Sequence, residues 1–432
     1  VFSFWYLVLK LQPKGYGLNA IDYRLILNFP YYISSRIRKS TQGSFSSTIH
    51  RIAILSIGVG LGIMIISFLI LFGFQNTVKE KLFGFSGHLQ VTKYTLSNSV
   101  EELPVSNKND FYLNYDKIDG IRHVQQYTYK PGLIRTEEEI LGVMMKGVDT
   151  DFDIGQFSEN MIEGEFITVD TSGYSKQVVI SQVIANKLNL SVGEQMTVHF
   201  FQNPPRARKL TVSGIYETNL SEYFDDKMIL ADMGLIRRLN NWADSLSGGY
   251  EIYLDDYSKI DQVESALDDT LDYNLFVENI SDKYVQIFDW LHLIRRQVNI
   301  FLGLILSVVC FNMISIILIL IMERTQMIGM FKALGATNKQ VRMIFNYSGL
   351  QLLGKGLLLG NVIGLSLCAI QYFFHVIPLE AKDYYMSYVP ISWDWDVVII
   401  LNLLTLLIVY AILAIPTLLI IRINPIKAIR FD

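Results

Sequence analysis

The chain has 432 residues, 51% of them hydrophobic, a formal net charge of −4 and two cysteines. It is too apolar for an ordinary soluble protein and yet carries a long polar interior, which indicates a membrane protein with a large soluble part. The small net charge, with no basic stripe interleaved with aromatics, argues against a nucleic-acid partner, and Cys310 and Cys368 both sit inside apolar runs, which argues against a disulfide framework or a cysteine metal site.

Residues 1–51 form an N-terminal cytoplasmic or interfacial segment. Its opening FSFWYLVLKL is too short to span and reads three ways: a mis-assigned start, an interfacial segment or a degenerate signal peptide. Arg36, Arg38 and Lys39 then make a basic flank before the first transmembrane helix, 52–78. Gly58, Gly60 and Gly62 in that helix let another helix approach closely, either within the chain or across a dimer. From 79 to 297 the chain is soluble in character. Strand-like runs such as HLQVTKY, KQVVIS, EQMTVHFF, KLTVSGIYET and EIYLDD alternate with helical patterns in SQVIANKLN and SKIDQVESALDDTL, an α+β pattern. Within it, 174–256 is strongly patterned and 100–153 looser. Tyr284, Ile287, Phe288, Leu291, Ile294 and Val298 fall at helical spacing and lead without a break into the next span, which predicts a stalk of long helices; two independent short helices are the alternative.

The second transmembrane helix is 298–322: about 25 apolar residues at 1.5 Å each exceed the roughly 30 Å hydrocarbon core. ERTQMIGMFKALGATNKQVRM, 323–343, follows. Met327, Ile328, Phe331 and Leu334 share one helical face, Gly335 breaks the pattern, and Arg324, Lys332, Lys339 and Arg342 place the segment in the cytoplasm. Residues 344–378 divide into a partly interfacial helix to Gly354 and a third span from Gly356 to Ile377, with Lys355 snorkelling at the boundary or acting inside the membrane. Gly356, Gly360 and Gly364 are two successive GxxxG steps. A short acidic, aromatic loop (379–396), a fourth span (397–421) and a basic tail (422–432) with Arg422, Lys427 and Arg430 complete the chain. Basic residues crowd the N-terminal flank, the 323–342 segment and the tail, so both termini are expected inside and the large domain outside. The expected fold class is membrane α-helical, with four transmembrane helices and a large α+β extracytoplasmic domain inserted between helices 1 and 2.

ERTQMIGMFKALGATNKQV resembles the coupling-helix loop of the macrolide-exporter-like ABC permeases, a family that includes the lipoprotein-releasing and cell-division permeases. Glu323, Arg324, Ile328, Gly329, Lys332, Ala333, Leu334, Gly335 and Ala336 fit the motif, while Gln326 replaces an acidic residue and Phe331 a Leu, Met or Ile. NFPYYISSRIRKS, the pair VVISQVIANKLNLSVGEQMTVHFF and KLTVSGIYETNLSEYFDDKMILAD, and the ending INPIKAIRFD are similar to stretches of the lipoprotein-releasing branch; Ser181 and Asn219 stand where Gly is common there, and Glu194 where Asp is. The resemblance implies that 323–336, with Met327 and Phe331, docks into a separate ATPase subunit.

Other chemical signals are weak. GLQLLGKG, from Gly349 to Gly356, matches a phosphate loop only by chance, since Gly356 replaces the Ser or Thr and no strand precedes it. The six histidines have no metal-binding spacing. Asp225 with Asp226, and Glu137 to Glu139, read as solvated faces rather than an acid/base pair. No catalytic or metal residue, and no enzyme activity in this chain, is expected. The resemblance implies a permease that extracts lipoproteins from the outer leaflet of the inner membrane. Its implied partners are two copies of an ATPase subunit carrying ATP and Mg, a second permease identical to this chain or related to it, and a periplasmic lipoprotein carrier; the chain itself would bind no cofactor. A signalling permease of the cell-division type and a macrolide or peptide exporter are the alternatives. Each CH₂ of an acyl chain moved into water costs about 0.8 kcal/mol, so an apolar path is expected, with Phe68, Phe72, Phe74, Phe288, Leu291 and Ile294 its candidates; stalk packing alone would also account for them.

Overall fold

The computed structural model describes residues 30, 33–34, 45–95, 102–135, 139–169 and 173–422. The N-terminal run with its basic flank, Glu137 and the tail beyond Arg422 lie outside the described residues. The principal helices are α1 (Phe45–Ser86), α2 (Gln182–Leu188), α3 (Met233–Asn240), α4 (Ile260–Thr270), α5 (Val285–Glu323), α6 (Thr325–Ala333), α7 (Asn338–Phe374) and α8 (Trp395–Thr417). Among the described residues, α1, α5, α7 and α8 are long and apolar enough to cross a membrane. The chain forms two compact units: one from the stretches up to Leu69, Arg296–Ile370 and from Trp393 on, the other from Ile70–Arg295 and Gln371–Ser392.

In the helical unit, glycines bring α1 and α7 into backbone contact. A Cβ on Gly360 would lie 2.9 Å from the Gly58 carbonyl oxygen, one on Gly364 3.1 Å from that of Gly62, and one on Gly356 2.6 Å from Ile57 Cβ. Gly60, half a turn round α1, meets α5 instead, where its Cβ would fall 2.6 Å from Val309. The small-residue spacing is therefore used within the chain. Amide side chains add two further links: Asn361 and Asn402 exchange hydrogen bonds of 2.7 and 2.9 Å between α7 and α8, and Asn312 donates to Ser56 Oγ at 2.7 Å between α5 and α1.

One sequence expectation is corrected here. The split of 344–378 at Gly354 and Gly356 does not occur, because α7 runs unbroken from Asn338 to Phe374. Glycine weakens a helix by only about 1 kcal/mol relative to alanine, whereas a backbone group left unpaired in lipid costs several, so the helix continues.

The second unit is built on a ten-stranded mixed sheet. Its strands are β1 (Leu89–Lys93), β3 (Ile121–Arg135), β4 (Ile140–Val148), β5 (Met161–Gly164), β6 (Gln177–Ser181), β7 (Gln195–Phe200), β8 (Arg206–Tyr216), β9 (Met228–Asp232), β11 (Gly249–Leu254) and β12 (Leu275–Asn279); β2 (Val105–Ser106) and β10 (Leu246–Ser247) pair separately. The order is β12-β1-β11-β3-β4-β9-β6-β8-β5, with β7 pairing β3 and β8, and β4·β9 and β6·β8 are parallel. One core lies where α2 and α3 cover β6 to β9, another where α4 covers β1, β11 and β12. Ser181 caps α2 by accepting from Ile184 N at 3.0 Å, and Asn219 takes a left-handed φ of 62°, which accounts for side chains other than glycine serving at both turns.

Two further expectations change. The region 100–153, read as looser, contains the longest strand, β3, paired with β4 over Tyr127–Arg135. Its centre, Val124–Thr128, is wholly buried and includes Gln125, Gln126 and Thr128, so apolar alternation is lost. The run into the second span, by contrast, is one long helix as expected, α5 being unbroken from Val285 to Glu323; only Tyr284 (φ −112°), just before it, is non-helical, and its ring packs edge-on against Tyr223 and Phe224. Asp225 is not solvated: it is 1% exposed and accepts hydrogen bonds from Thr218 N and Oγ1, while Asp226 is the surface partner of Lys187.

Candidate coupling site

The corner between α5 and α7 is tightly specified. Arg324 (φ −105°) ends one helix and begins α6, which closes at Gly335 with φ +94°. Gly335 N–H donates to the Lys332 carbonyl at 3.0 Å and Ala336 N–H to the Phe331 carbonyl at 2.9 Å, the paired bonds of a Schellman stop. Thr337 then opens α7 with a capping box: Gln340 N donates to its Oγ1 at 3.3 Å, and Thr337 N donates to Gln340 Oε1 at 2.9 Å. Lys332 Nζ donates 2.6 Å to the Ile420 carbonyl in the turn Leu418–Arg422, and lost hydration lowers the Lys332 amine from its ordinary value. Glu323 and Arg324 stand 3.9 Å apart.

The side chains divide differently from the sequence expectation. Ile328 is fully buried within the chain, Met327 and Phe331 are half-buried, and Leu334 is 64% exposed. These four do not form one open face, because the inner half of the stripe is covered by the chain's own helices. Met330, Ala333, Leu334 and Gly335 are the exposed small and apolar positions of the corner. The Thr337-x-x-Gln340 box was present in the sequence as a readable helix start.

The candidate acyl path is also filled. Phe74 packs edge-on against Trp290 at 5.4 Å, Phe288 lies 6.0 Å from Phe83, and Leu291 is 2% exposed with its carbonyl accepting from Gln75 Nε2 at 3.0 Å. Ile294 packs against the same cluster, and Arg295 lies over the half-buried Phe72 ring and bonds Gln75 Oε1. Phe68, half-buried, belongs to the helical unit. Stalk packing accounts for these side chains, and a path along them would require them to move. Gln75 with Arg295, the polar clasp of this cluster, was not singled out in the sequence. Among the described residues no three His, Cys, Asp or Glu side chains come together as a metal site would need.

A model of the FtsX-like permease C-terminal domain matches residues 299–425, and a model of the MacB-like periplasmic core domain matches residues 52–270, half of the chain. The chain belongs to this permease family. It is a multi-pass ABC permease with a MacB-like domain between its first and second transmembrane helices, and the α5–α7 corner lies inside the FtsX-like match. Similar curated proteins include the lipoprotein-releasing system transmembrane protein LolE of Haemophilus influenzae, 21% identical and covering 87% of this chain and 93% of that one. LolC of Xylella fastidiosa (strain Temecula1) and LolC of Neisseria meningitidis serogroup B are each 21% identical, covering 92% of this chain and 97% of theirs. Among solved structures, the extracellular domain of the ABC-type transporter YknZ from Gram-positive bacteria aligns at 16% identity and TM-score 0.31, covering 44% of this chain and 99% of that one. The periplasmic region of MacB from Actinobacillus actinomycetemcomitans aligns at 15% and 0.32, covering 46% and 92%.

Proposed function

We propose that this chain is the permease subunit of an ATP-driven complex that lifts lipoproteins from the outer leaflet of the inner membrane and passes them to a periplasmic carrier. The observation that carries the reading is the near full-length match to permeases named for lipoprotein release. In this reading an ATPase subunit, present twice, binds the exposed Met330–Leu334 edge of α6 and holds ATP and Mg. The Schellman stop and the capping box leave the corner little freedom, so a push on α6 is passed to α5 and α7 rather than absorbed. A second permease, identical or related, completes the membrane part. Both termini face the cytoplasm and the MacB-like domain faces the periplasm.

The test is reconstitution of the chain with its neighbouring ATPase and permease in liposomes containing a labelled lipoprotein. ATP is expected to move the label onto a soluble carrier. A complex that hydrolyses ATP and releases no lipoprotein in the presence of carrier would refute the assignment.

A further inference from the structure

The sheet unit contains a cavity of about 440 Å³, within the usual range of roughly 300–1,000 Å³ for small-molecule sites. Its walls are the rings of Tyr127, Tyr129, Tyr223 and Tyr284 together with Met144 and Met228. Tyrosine presents an apolar ring with a polar tip, and methionine adapts its shape to an irregular apolar guest. Three lysines, Lys93, Lys227 and Lys283, also line it, against two carboxyls, Glu102 and Glu278. Glu278 is engaged by Lys283 at 3.4 Å, and burial pushes the Glu102 carboxyl up to about 8, which favours its neutral form. Among the described lining residues the cavity is thus apolar in its walls and carries more lysines than carboxyls.

From this geometry we infer that the cavity binds an anionic amphiphile, a molecule with one apolar chain or ring and a carboxylate, sulfonate or phosphate head. A neutral apolar guest would leave Lys93 and Lys227 unused, and a cationic one would be repelled by them. The site is also connected to α1. Lys283 donates to Gln90 Oε1 at 2.6 Å, Gln90 Nε2 to Glu251 at 3.3 Å, and Glu251 meets Lys146, which donates to the Phe85 carbonyl in the last turn of α1. A head group that draws Lys283 away from Gln90 therefore perturbs a continuous polar chain ending on that helix. This inference does not rest on lipoprotein release, because binding is read with no ATPase present.

The experiment uses the full chain in phosphatidylcholine nanodiscs, irradiated with a diazirine-bearing palmitate, with the labelled peptides mapped by mass spectrometry. Label is expected on the peptides carrying Tyr127, Met144, Tyr223 and Tyr284. Lys227→Glu, an exposed rim change that leaves the core intact, should lower that labelling by about tenfold, as should Met144→Trp by filling the space. A diazirine probe of equal length with an amine head should label the same peptides far more weakly. Label confined to the membrane helices, or equal labelling by the amine probe, or labelling unchanged in Lys227→Glu would each overturn the inference. A phosphate-headed probe displacing palmitate would identify a lipid head group rather than a free fatty acid as the favoured guest, within the same class.

Discussion

Lys146 and Glu251 meet at 2.7 Å with side chains 1% and 0% exposed, one on β4 and the other on β11, either side of the central strand β3. Desolvation lowers the lysine, while the Glu251 charge and Gln125 Nε2 at 2.8 Å hold the pair together. Removing one partner of such a pair strands a buried charge, at about 3–5 kcal/mol, whereas replacing both by apolar groups of similar size is often neutral. Lys146→Met should therefore lower the thermal midpoint of the purified chain sharply, and adding Glu251→Leu should restore most of the loss. Equal destabilisation by the single and double variants would show that the pair is not the unit of stability.

Topology is tested by accessible cysteines. Tyr273 is fully exposed in the sheet unit, and Lys339 is exposed at the start of α7. Tyr273→Cys should react with an impermeant thiol reagent in intact spheroplasts and Lys339→Cys only after lysis; Cys310 and Cys368 are buried and give little background. The reverse pattern would invert the proposed orientation.

Much of the membrane part was legible because its signals are local. Apolar length marks a span, and Gly356, Gly360 and Gly364 mark a close approach whatever the partner. What was not legible depends on partners distant in sequence. β3 hides its period because Gln125 and Gln126 are buried with hydrogen-bond partners supplied by Glu251, Tyr253, Tyr112 and Asp151. Periodicity likewise gathers Ile328 and Leu334, at the two edges, into one stripe of α6 and its C-cap, but only the packing of the other helices decides that Ile328 is covered and Leu334 is not. Asn361 and Asn402 could have been flagged as isolated amides in apolar helices, though not as a pair.

Glu102 gives a pH signature. Burial raises its carboxyl from 4.5 to about 8, against the opposing hydrogen bond from Tyr129 N at 3.1 Å. Between those two values the folded chain holds a proton that the unfolded chain has released, so stability falls as pH rises through the window and the loss is complete above about 8. Glu102→Gln removes the titration. The variant's thermal midpoint, relative to the unaltered chain, should accordingly rise between pH 5 and pH 8.5. A constant difference across that range would mean that Glu102 titrates normally.

The candidate coupling corner yields the most direct test of the proposed function. Leu334 is mostly exposed in this chain, so Leu334→Asp removes little internal packing and the protein should insert and fold normally. If the edge buries in an ATPase groove, the change forfeits roughly 1.5–3 kcal/mol of apolar burial and adds the cost of an unpaired carboxylate, weakening docking by about 10 to 100-fold or more. Ile328→Asp is the contrasting change, since that side chain is fully buried and the variant should be unstable before any partner is added. Gly335→Val separates shape from contact. A Cβ there meets nothing within 4 Å, yet φ of +94° is strained for any side chain and most for a β-branched one. The corner should lose its angle while its docking edge remains. The expected pattern is lost ATPase co-purification in Leu334→Asp, and retained ATPase with failed lipoprotein release in Gly335→Val. Wild-type co-purification and release in Leu334→Asp would move the ATPase contact elsewhere on the cytoplasmic side.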